Sequence, residues 1–361
     1  MTIRINRTEL LHVLELCGAG TASREVLEQS ACVVFRKGQL ITFNDEISCR
    51  AKGYDGLNGA VRHAPLKNIL GRMADDVLTV EQTDTHLMFK GKRSRLGVVC
   101  EQKIMLPLKH LERPTEWRKL PPAFIEGIKA VKDCAGTDDS KFALTCIHIH
   151  PQYVETFDDY KYARYLVKTG ISEAVLVRQS SIKHIETMAA DQISESDRWI
   201  HFKNSTGFVL SCRKYSEEYP NLDVIAKASG APVTLPSALA ETARRAGVFS
   251  VDSEDNQVEV TLQSNRIVLK GTGQFGWYSE THELKKYRGP SFHFKISPQM
   301  LEELLTKYRD CQVSDKALIA GDQKFRYVTS VMDVPDEVAE AAPKAETNGA
   351  ARKRKAKAEV A

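Results

Sequence analysis

The sequence predicts an α+β protein of three tandem domains, each built from two copies of a strand–helix–strands unit. Two sets of short amphipathic helices recur at nearly constant intervals, and runs in which apolar and polar residues alternate flank each helix. A fixed period of this kind indicates an internal repeat. One unit alone cannot bury both a helix face and a sheet face, whereas two packed together can. The length of 361 residues also favours two or three domains.

The first helix set has apolar residues on one face. Its members are RHAPLKNILGRMADD (62–76), QSSIKHIETMAA (179–190) and KISPQMLEELLTKYRD (295–310). Leu66, Ile182 and Met300 take equivalent positions, 116 and 118 residues apart. In the middle member a Ser pair predicts the helix start, and Ile182, Ile185 and Met188 predict the buried face. Each helix follows a strand-like run and precedes a strand–turn–strand pattern.

The second helix set lies between the members of the first. Its members are INRTELLHVLELCG, KLPPAFIEGIKAVKDCAG and TLPSALAETARRAGVFS. Leu10, Phe124 and Leu239 correspond, 114 and 115 residues apart, and each helix leads into paired strands. Stretches rich in Pro or poor in apolar residues separate the repeats at 111–122 and 225–236. The predicted domains are 1–114, 115–231 and 232–333, followed by a disordered charged tail at 334–361.

Composition is that of an ordinary soluble protein, with 42% hydrophobic and 27% charged residues and a net charge of +4. No apolar run approaches the ~20 residues of a membrane span, and the N-terminus does not resemble a signal peptide. The eight cysteines form no C-x-x-C pair, which predicts reduced, mostly buried thiols in a cytosolic protein rather than zinc ligands or disulfides.

Patterns typical of catalysis are weak, so we expect neither an enzyme nor a metal or cofactor. His148 and His150 face the same way on a predicted strand, but no further ligand besides Cys146 of that strand accompanies them. Three acidic doublets fall at predicted turns, where Asp is common for backbone reasons: Asp75–Asp76, Asp138–Asp139 and Asp158–Asp159. GTGQFG (271–276) lacks the Lys-Ser/Thr of a phosphate-binding loop.

Several short stretches, in this order and spacing, resemble the bacterial-type DNA polymerase sliding clamp (the beta processivity clamp) over residues 1–333. They are LCGAGTASREVLEQSACVVFRKGQLITFNDE, FKGKRSRLGV, TFDDYKYARYLV, KYSEEYPNLDVIA and FRYVTSVM. Two motifs depart from the family. Its Gly-His-Arg is replaced by Asp159, Tyr160 and Lys161, and its terminal Met-Pro-Met by Ser330, Val331 and Met332. The chain also runs 28 residues further, as in a divergent member of bacterial or phage origin.

The resemblance implies a closed ring of two head-to-tail copies, with helices lining the hole and sheets outside. Such a ring encircles duplex DNA without reading its sequence and tethers the replicative DNA polymerase, after a clamp loader has placed it there. It would act in the cytoplasm at the nucleoid, or in the host cytoplasm if phage-encoded.

The DNA contacts expected from this resemblance are few, because the six helices together carry a net charge of only +1. A ring is retained by topology and needs little phosphate affinity. The candidate phosphate-binding residues are Arg24, Lys67, Arg72, Lys129, Lys132, Lys183, Arg244 and Arg245.

The resemblance also implies an apolar pocket between the second and third domains, which captures partner peptides carrying a Gln and a Leu/Phe pair. Transferred residue by residue, its wall consists of Leu144, Phe157, Tyr160, Lys161, Tyr162, Pro220, Val224, Ile225, Val328, Ser330, Val331 and Met332. Ordinary interdomain core is the alternative explanation of these residues.

The alternative function is a non-ring DNA-binding accessory protein of replication or recombination. A single-strand binder should interleave aromatic side chains with a basic groove. Here aromatic residues make up 7% of the chain and are scattered over predicted strands. The ring is therefore the favoured prediction.

Overall fold

The computed structural model describes residues 2–114, 116–251, 253 and 255–334. The predicted tail, from residue 335 onward, lies outside the described residues. The chain forms two compact units, the first of Met1–Val233 with Tyr308–Ser330 and the second of Thr234–Lys307 with Val331–Ala361. The α+β class predicted from the sequence is confirmed. The three-domain boundaries stay a prediction.

The described residues contain eight α-helices. They are α1 (Arg7–Cys17), α2 (His63–Arg72), α3 (Pro122–Val131), α4 (Gln179–Ile182), α5 (Ile185–Met188), α6 (Asp223–Ala226), α7 (Leu239–Ser250) and α8 (Pro298–Lys307). None of these helices is both long and apolar enough to cross a membrane.

Twenty-five strands accompany these helices in the described part of the chain. They are β1 (Thr2–Asn6), β2 (Cys32–Arg36), β3 (Gln39–Phe43), β4 (Ile47–Lys52), β5 (Gly59–Arg62), β6 (Val77–Gln82), β7 (His86–Lys90), β8 (Arg95–Val99), β9 (Arg118–Lys119), β10 (Cys146–His150), β11 (Tyr153–Phe157), β12 (Lys161–Leu166), β13 (Val175–Arg178), β14 (Gln192–Glu195), β15 (Trp199–Lys203), β16 (Val209–Arg213), β17 (Ala231–Thr234), β18 (Val258–Gln263), β19 (Arg266–Gly273), β20 (Gly276–Glu283), β21 (Phe292–Ile296), β22 (Asp310–Val313), β23 (Ala317–Gly321), β24 (Phe325–Ser330) and β25 (Met332–Asp333).

The strands form four sheets. Sheet A has four strands in the order β1-β6-β7-β8, and sheet B has eight in the order β5-β2-β3-β4-β16-β15-β14-β9. Sheet C has eight in the order β13-β10-β11-β12-β24-β23-β22-β17, and sheet D has five in the order β20-β19-β18-β21-β25. Sheets A, B and C belong to the first unit and sheet D to the second. The antiparallel pairs β4–β16 and β12–β24 join strands far apart in sequence into single sheets.

The start of α1 shows how local sequence sets the helices. The Asn6 side chain caps α1 by accepting hydrogen bonds from the backbone N–H groups of Thr8, at 2.9 Å, and Glu9, at 3.2 Å. Leu10, Leu14 and other residues at helical spacing are buried. The helix therefore lies with one apolar face on the sheet, as its sequence periodicity predicts.

The repeat is visible in a contact between the end of a helix and a strand. The Thr42 hydroxyl donates to the carbonyl oxygen of Cys17 at 2.8 Å. The Thr156 hydroxyl donates to the carbonyl oxygen of Val131 at 2.6 Å. Both residues of the second pair lie 114 positions after those of the first, the same spacing as Leu10 and Phe124. The two predicted units thus share a buried hydrogen bond as well as a helix pattern.

The second unit has a glycine at the corresponding place. Gly271 and Ala246 each lie 115 positions after Thr156 and Val131. A Cβ atom on Gly271 would lie 1.9 Å from the carbonyl oxygen of Ala246, far closer than atoms can approach. Here the helix backbone itself occupies the space that the threonine side chain fills in the first unit, so glycine is required by packing.

The predicted helix at 179–190 is wrong in detail. The structure has two four-residue helices, α4 and α5, separated by Lys183 and His184, and Ala189 ends them in the left-handed conformation with φ of 51°. The Ser pair does not cap the first turn, because the N-cap is Arg178 and no side-chain hydrogen bond is made there. Short segments rich in Ser, Thr and β-branched residues have low helix propensity, so packing keeps only single turns.

We predict that Gly271→Ala destabilises the second unit by about 1–3 kcal/mol, because the new methyl group forces the backbone of α7 away from β19. Thermal unfolding, combined with hydrogen exchange of peptides from 239–273, measures the effect. Gly71→Ala is the control, since the nearest atom to its Cβ is Leu11 Cδ2 at 4.0 Å. At this exposed helical site alanine should stabilise by about 0.5–1 kcal/mol. Equal stability of the two variants would contradict the packing argument.

Candidate functional site

The candidate phosphate-binding cations fall into two groups. Five make no ion pair with any described residue: Arg24, Lys67, Arg72, Lys129 and Lys183. Three are neutralised by neighbouring carboxylates. Their ion pairs are Lys132 with Glu186 at 2.8 Å, Arg244 with Glu241 at 2.7 Å and also with Glu302, and Arg245 with Glu280 at 2.7 Å.

These ion pairs lower the free positive charge at the end of α3 and on α7. Lys132 follows α3 directly, and its partner Glu186 lies on α5, so the pair joins two packed helices. Arg245 also donates to the Tyr278 hydroxyl at 2.8 Å, which fixes its guanidinium against β20. Cations held in this way are poorer phosphate ligands than those with mobile, unpaired side chains.

Part of the predicted peptide pocket forms an apolar cluster in the first unit. Its buried members are Tyr162, Leu222, Ala317, Ile319 and Val328, with Phe157, Tyr219, Ile225, Ala226 and Ala228 packed against them. Four predicted residues therefore come together: Phe157, Tyr162, Ile225 and Val328. Sequence reasoning missed Leu222 and Ile319, although the apolar run of β23 and the apolar Leu222 before α6 are visible in the sequence.

A buried carboxylate lies directly behind this cluster. Glu155 is 2% exposed and accepts hydrogen bonds from Arg164 Nε at 2.8 Å and from the Tyr162 hydroxyl at 3.2 Å. His148 Nδ1 lies 2.7 Å from its other oxygen. Burial acts to lower the pKa of Arg164, but Glu155, Tyr162 and Asp223 together raise it overall. Burial raises the pKa of Tyr162, so its hydroxyl stays protonated and donates.

Arg164 also links this network to the helix at the rim. Its guanidinium donates to Asp223 Oδ1 at 3.1 Å, at the start of α6. It lies 4.1 Å from the centre of the Tyr153 ring. These contacts fix α6 on β12 and so orient Val224 and Ile225. Neither Arg164 nor Asp223 was among the residues predicted from the sequence, because their pairing spans 59 positions with no local signal.

The remaining predicted pocket residues differ in exposure. Val224 is 84% exposed and Tyr160 is 62% exposed, so both offer free apolar surface. Lys161 is the first residue of β12 and Ser330 the last residue of β24, the two strands that carry Tyr162 and Val328. Leu144 and Pro220 lie outside the apolar cluster. Val331 and Met332 belong to the second unit, where β25 pairs with β21.

One aspartate of each acidic doublet accepts a hydrogen bond from a backbone N–H group. Asp75 accepts from the Ser94 hydroxyl at 2.7 Å and the Lys92 N–H at 3.1 Å. Asp138 accepts from the Ser140 N–H at 2.9 Å, and Asp158 from the Tyr160 N–H at 3.0 Å. Among the described residues, no three His, Cys, Asp or Glu side chains meet in an arrangement that could hold a metal ion.

The outer strands of the four sheets include β8 in sheet A and β20 in sheet D, and no described strand pairs with the outer edge of either. The Cys100 N–H donates to the carbonyl oxygen of Thr85 at 2.8 Å, so these two residues form a hydrogen-bonded pair. Hydrogen-bonded and non-hydrogen-bonded pairs alternate along an antiparallel ladder, so Gly97 and Met88, three residues along, form a non-hydrogen-bonded pair. The Gly97 backbone N–H and C=O therefore point away from the sheet. In sheet D the Leu284 N–H donates to the carbonyl oxygen of Asn265 at 2.8 Å. By the same alternation, Trp277 and Thr272 form a non-hydrogen-bonded pair, and the Trp277 backbone N–H and C=O point away from the sheet.

Comparison with protein-family models and with curated proteins gives no match. Comparison with solved structures shows that the chain has the fold of the bacterial DNA polymerase III beta sliding clamps, the family that the sequence motifs resemble. The three structures described below are 12–14% identical to this chain, so the likeness shows the fold.

The DnaN sliding clamp of Pseudomonas aeruginosa bound to griselimycin matches with a TM-score of 0.81 at 14% identity. The beta subunit of Thermotoga maritima matches with a TM-score of 0.81 at 13% identity. Each alignment covers 92% of this chain and 100% of the other. The sliding clamp of Bacillus subtilis matches with a TM-score of 0.79 at 12% identity, covering 93% of this chain and 100% of the other.

We predict that Lys183→Gln weakens binding to duplex DNA at low salt and reduces the slope of log K against log salt by about 0.9, the value for one lost phosphate contact. Fluorescence anisotropy over a salt series measures the slope. The control is the double variant Lys132→Gln/Glu186→Gln, which removes a paired cation without changing net charge. An equal loss of slope in the control would show that pairing does not decide which cations contact DNA.

Proposed function

We propose that two copies of this chain close head to tail into a ring around duplex DNA and act as a processivity factor. The ring tethers a DNA polymerase and other partners to their template. One observation carries this proposal: the fold of the beta sliding clamps extends over nearly the whole chain. A loader that opens the ring is a further expected partner.

The open sheet edges support the head-to-tail contact. Unpaired strand edges are free to hydrogen-bond with another chain. Antiparallel pairing of β8 from one copy with β20 from the other would join the four-stranded sheet A to the five-stranded sheet D. This contact uses two different surfaces of the chain, so it is heterologous and can close a ring of identical copies.

Exposed apolar side chains lie at both edges. Val99 on β8 is 65% exposed, and Trp277 on β20 is 64% exposed. Further exposed apolar residues are Ile69 and Val77 in the first unit and Val248, Val251 and Phe275 in the second. Burying such residues between copies would stabilise the contact by about 25 cal/mol for each Å² of apolar surface.

Retention on DNA would then depend on topology. A closed ring leaves a linear molecule only at its ends, whatever its affinity for phosphate. This explains how a chain with a net charge of +4 and several neutralised cations can serve as a sliding tether. Phosphate contacts give no base specificity, so the ring should slide along any sequence.

We predict that Gly97→Pro converts the dimer to monomer, because it removes the outward N–H of β8 without removing a hydrogen bond to β7. Sedimentation measures the assembly state. Gly97→Ala is the matched control, since its added Cβ meets only side-chain atoms, the nearest being Met88 Sδ at 3.0 Å, and the N–H remains.

The DNA measurement in the same experiment compares a nicked circle with linear DNA after loading. Wild type and Gly97→Ala should stay on the nicked circle and slide off the free ends of linear DNA, whereas Gly97→Pro should dissociate from both DNAs. Equal retention of wild type on the two DNAs would instead favour the non-ring DNA-binding accessory protein.

The peptide-binding part of the proposal rests on the apolar cluster around Tyr162 and Val328. A partner's Leu or Phe side chain would contact this cluster beside the exposed Val224. Burying one such side chain contributes about 1.5–3 kcal/mol, so two anchors are enough for micromolar binding after the entropic cost.

We predict that Val224→Asp weakens binding of a cognate polymerase peptide about ten-fold or more, because it places a charge at the apolar rim. A fluorescence titration with wild type and variant measures the affinity. Val26→Asp is the control, since Val26 is 92% exposed on another surface and undergoes the same chemical change. Unchanged affinity in Val224→Asp would place the peptide site elsewhere.

A further inference from the structure

Two adjoining clefts lie on the face of sheet B opposite α1. The two clefts share one wall, because Arg36, Leu108 and Lys109 line both of them. The clefts have volumes of about 370 and 360 Å³. Neither contains any of the predicted DNA or peptide residues. They form where the segment 104–113 crosses the sheet and packs Leu106 and Leu111 onto Val34 and Ile41.

The walls of these clefts are strongly cationic. Their basic residues are Arg36, Lys37, Arg50, Lys109 and Arg113, and no carboxylate is among the described residues that line them. None of the five forms an ion pair with another described residue. The carboxylate of the same segment, Glu112, does not neutralise these cations, because it is paired with Arg198 at 3.2 Å.

The positive charge extends into the partly buried region. Burial, and then the neighbouring Arg113, lowers the pKa of Arg50. Burial lowers the pKa of His201 to about 4, with Arg50 acting in the same direction. Holding several like charges together with no counter-ion is costly, and an anionic ligand would relieve that cost.

The floor of the clefts is aliphatic. It is lined by Ile41, Ile104, Leu106, Leu108 and Leu111. No aromatic side chain is among the described lining residues, so nothing there could stack on a nucleic-acid base. An aliphatic floor with arginines at the rim instead suits Leu or Ile side chains flanked by carboxylates, which guanidinium groups bind through two parallel hydrogen bonds.

We propose that these adjoining clefts bind an acidic peptide segment of a partner protein, with its aliphatic side chains on the floor and its carboxylates on Arg36, Arg50, Lys109 and their neighbours. This site is separate from the apolar cluster around Tyr162. It would give the chain a second point of protein attachment, on the face of sheet B away from the helices. The proposal does not depend on ring closure.

The test uses a fluorescein-labelled peptide of alternating Leu and Glu, titrated against the full chain by anisotropy. The variant Arg36→Gln/Lys109→Gln changes the two cations that line both clefts and should weaken binding about ten-fold or more. The control Lys168→Gln/Lys316→Gln removes two exposed cations elsewhere and should retain wild-type affinity. Thermal unfolding of both variants confirms that the fold is intact.

Three results would overturn the proposal. The first is no measurable binding of the peptide to wild type. The second is competition by single-stranded or duplex DNA of equal charge that is as strong as competition by unlabelled peptide, which would indicate a nucleic-acid site. The third is binding that appears only after residues 334–361 are removed, which would make the chain's own tail the occupant. Loss of binding in the cleft variant alone supports a partner peptide.

Discussion

Backbone hydrogen bonding between strands that are distant in sequence is the constraint on which the first unit depends. A strand–helix–strands unit leaves an outer strand with unpaired N–H and C=O groups, which are costly when buried. Here β4 pairs with β16 and β12 pairs with β24, so two eight-stranded sheets replace four smaller ones. Each sheet therefore runs across a predicted domain boundary, and the predicted domains are joined by more than their linkers.

Side chains reinforce one of these junctions. Arg213 forms two hydrogen bonds with Asp45, at 3.0 and 3.1 Å, beside the β4–β16 pair. Arg178, on the outer strand β13 of sheet C, binds Glu46 at 2.9 Å. Pairs of this kind bridge 168 and 132 positions, so they also select the register of the strands they flank. After these pairings, β8 and β20 are among the outer strands, and they could continue the same mode of joining between copies.

The sequence could predict structural features that recur along the chain and those that depend only on local residues, such as amphipathic helices. Helix periodicity found α1, α2, α3, α7 and α8, because an apolar stripe at helical spacing needs no knowledge of the partner. It overestimated the 179–190 helix, where tertiary packing of Ile182 and Ile185 keeps only single turns. The requirement for Gly271 was hidden, because the local sequence does not show how closely the Ala246 carbonyl approaches.

The candidate site was less predictable for a physical reason. Tyr162 and Val328 share a cluster because β12 pairs with β24, and motif order could suggest that pairing. The network of Glu155 and Arg164 depends instead on which polar groups are buried together, and single residues carry no sign of that. Likewise, Lys132 and Lys183 look equivalent in the sequence, yet only the fold places Glu186 at 2.8 Å from Lys132.

The distribution of paired and unpaired cations follows from these constraints. Several cations on the helices are balanced by carboxylates from packed neighbours, which stabilises helix pairs and limits attraction to phosphate. On the far face of sheet B, Arg36 and Lys109 lack such partners among the described residues, and an aliphatic floor lies between them. A protein held on DNA by closure would gain little from strong phosphate affinity, since each contact resists sliding. The cluster of unbalanced cations in the clefts of sheet B is then better explained by an anionic protein partner than by the duplex.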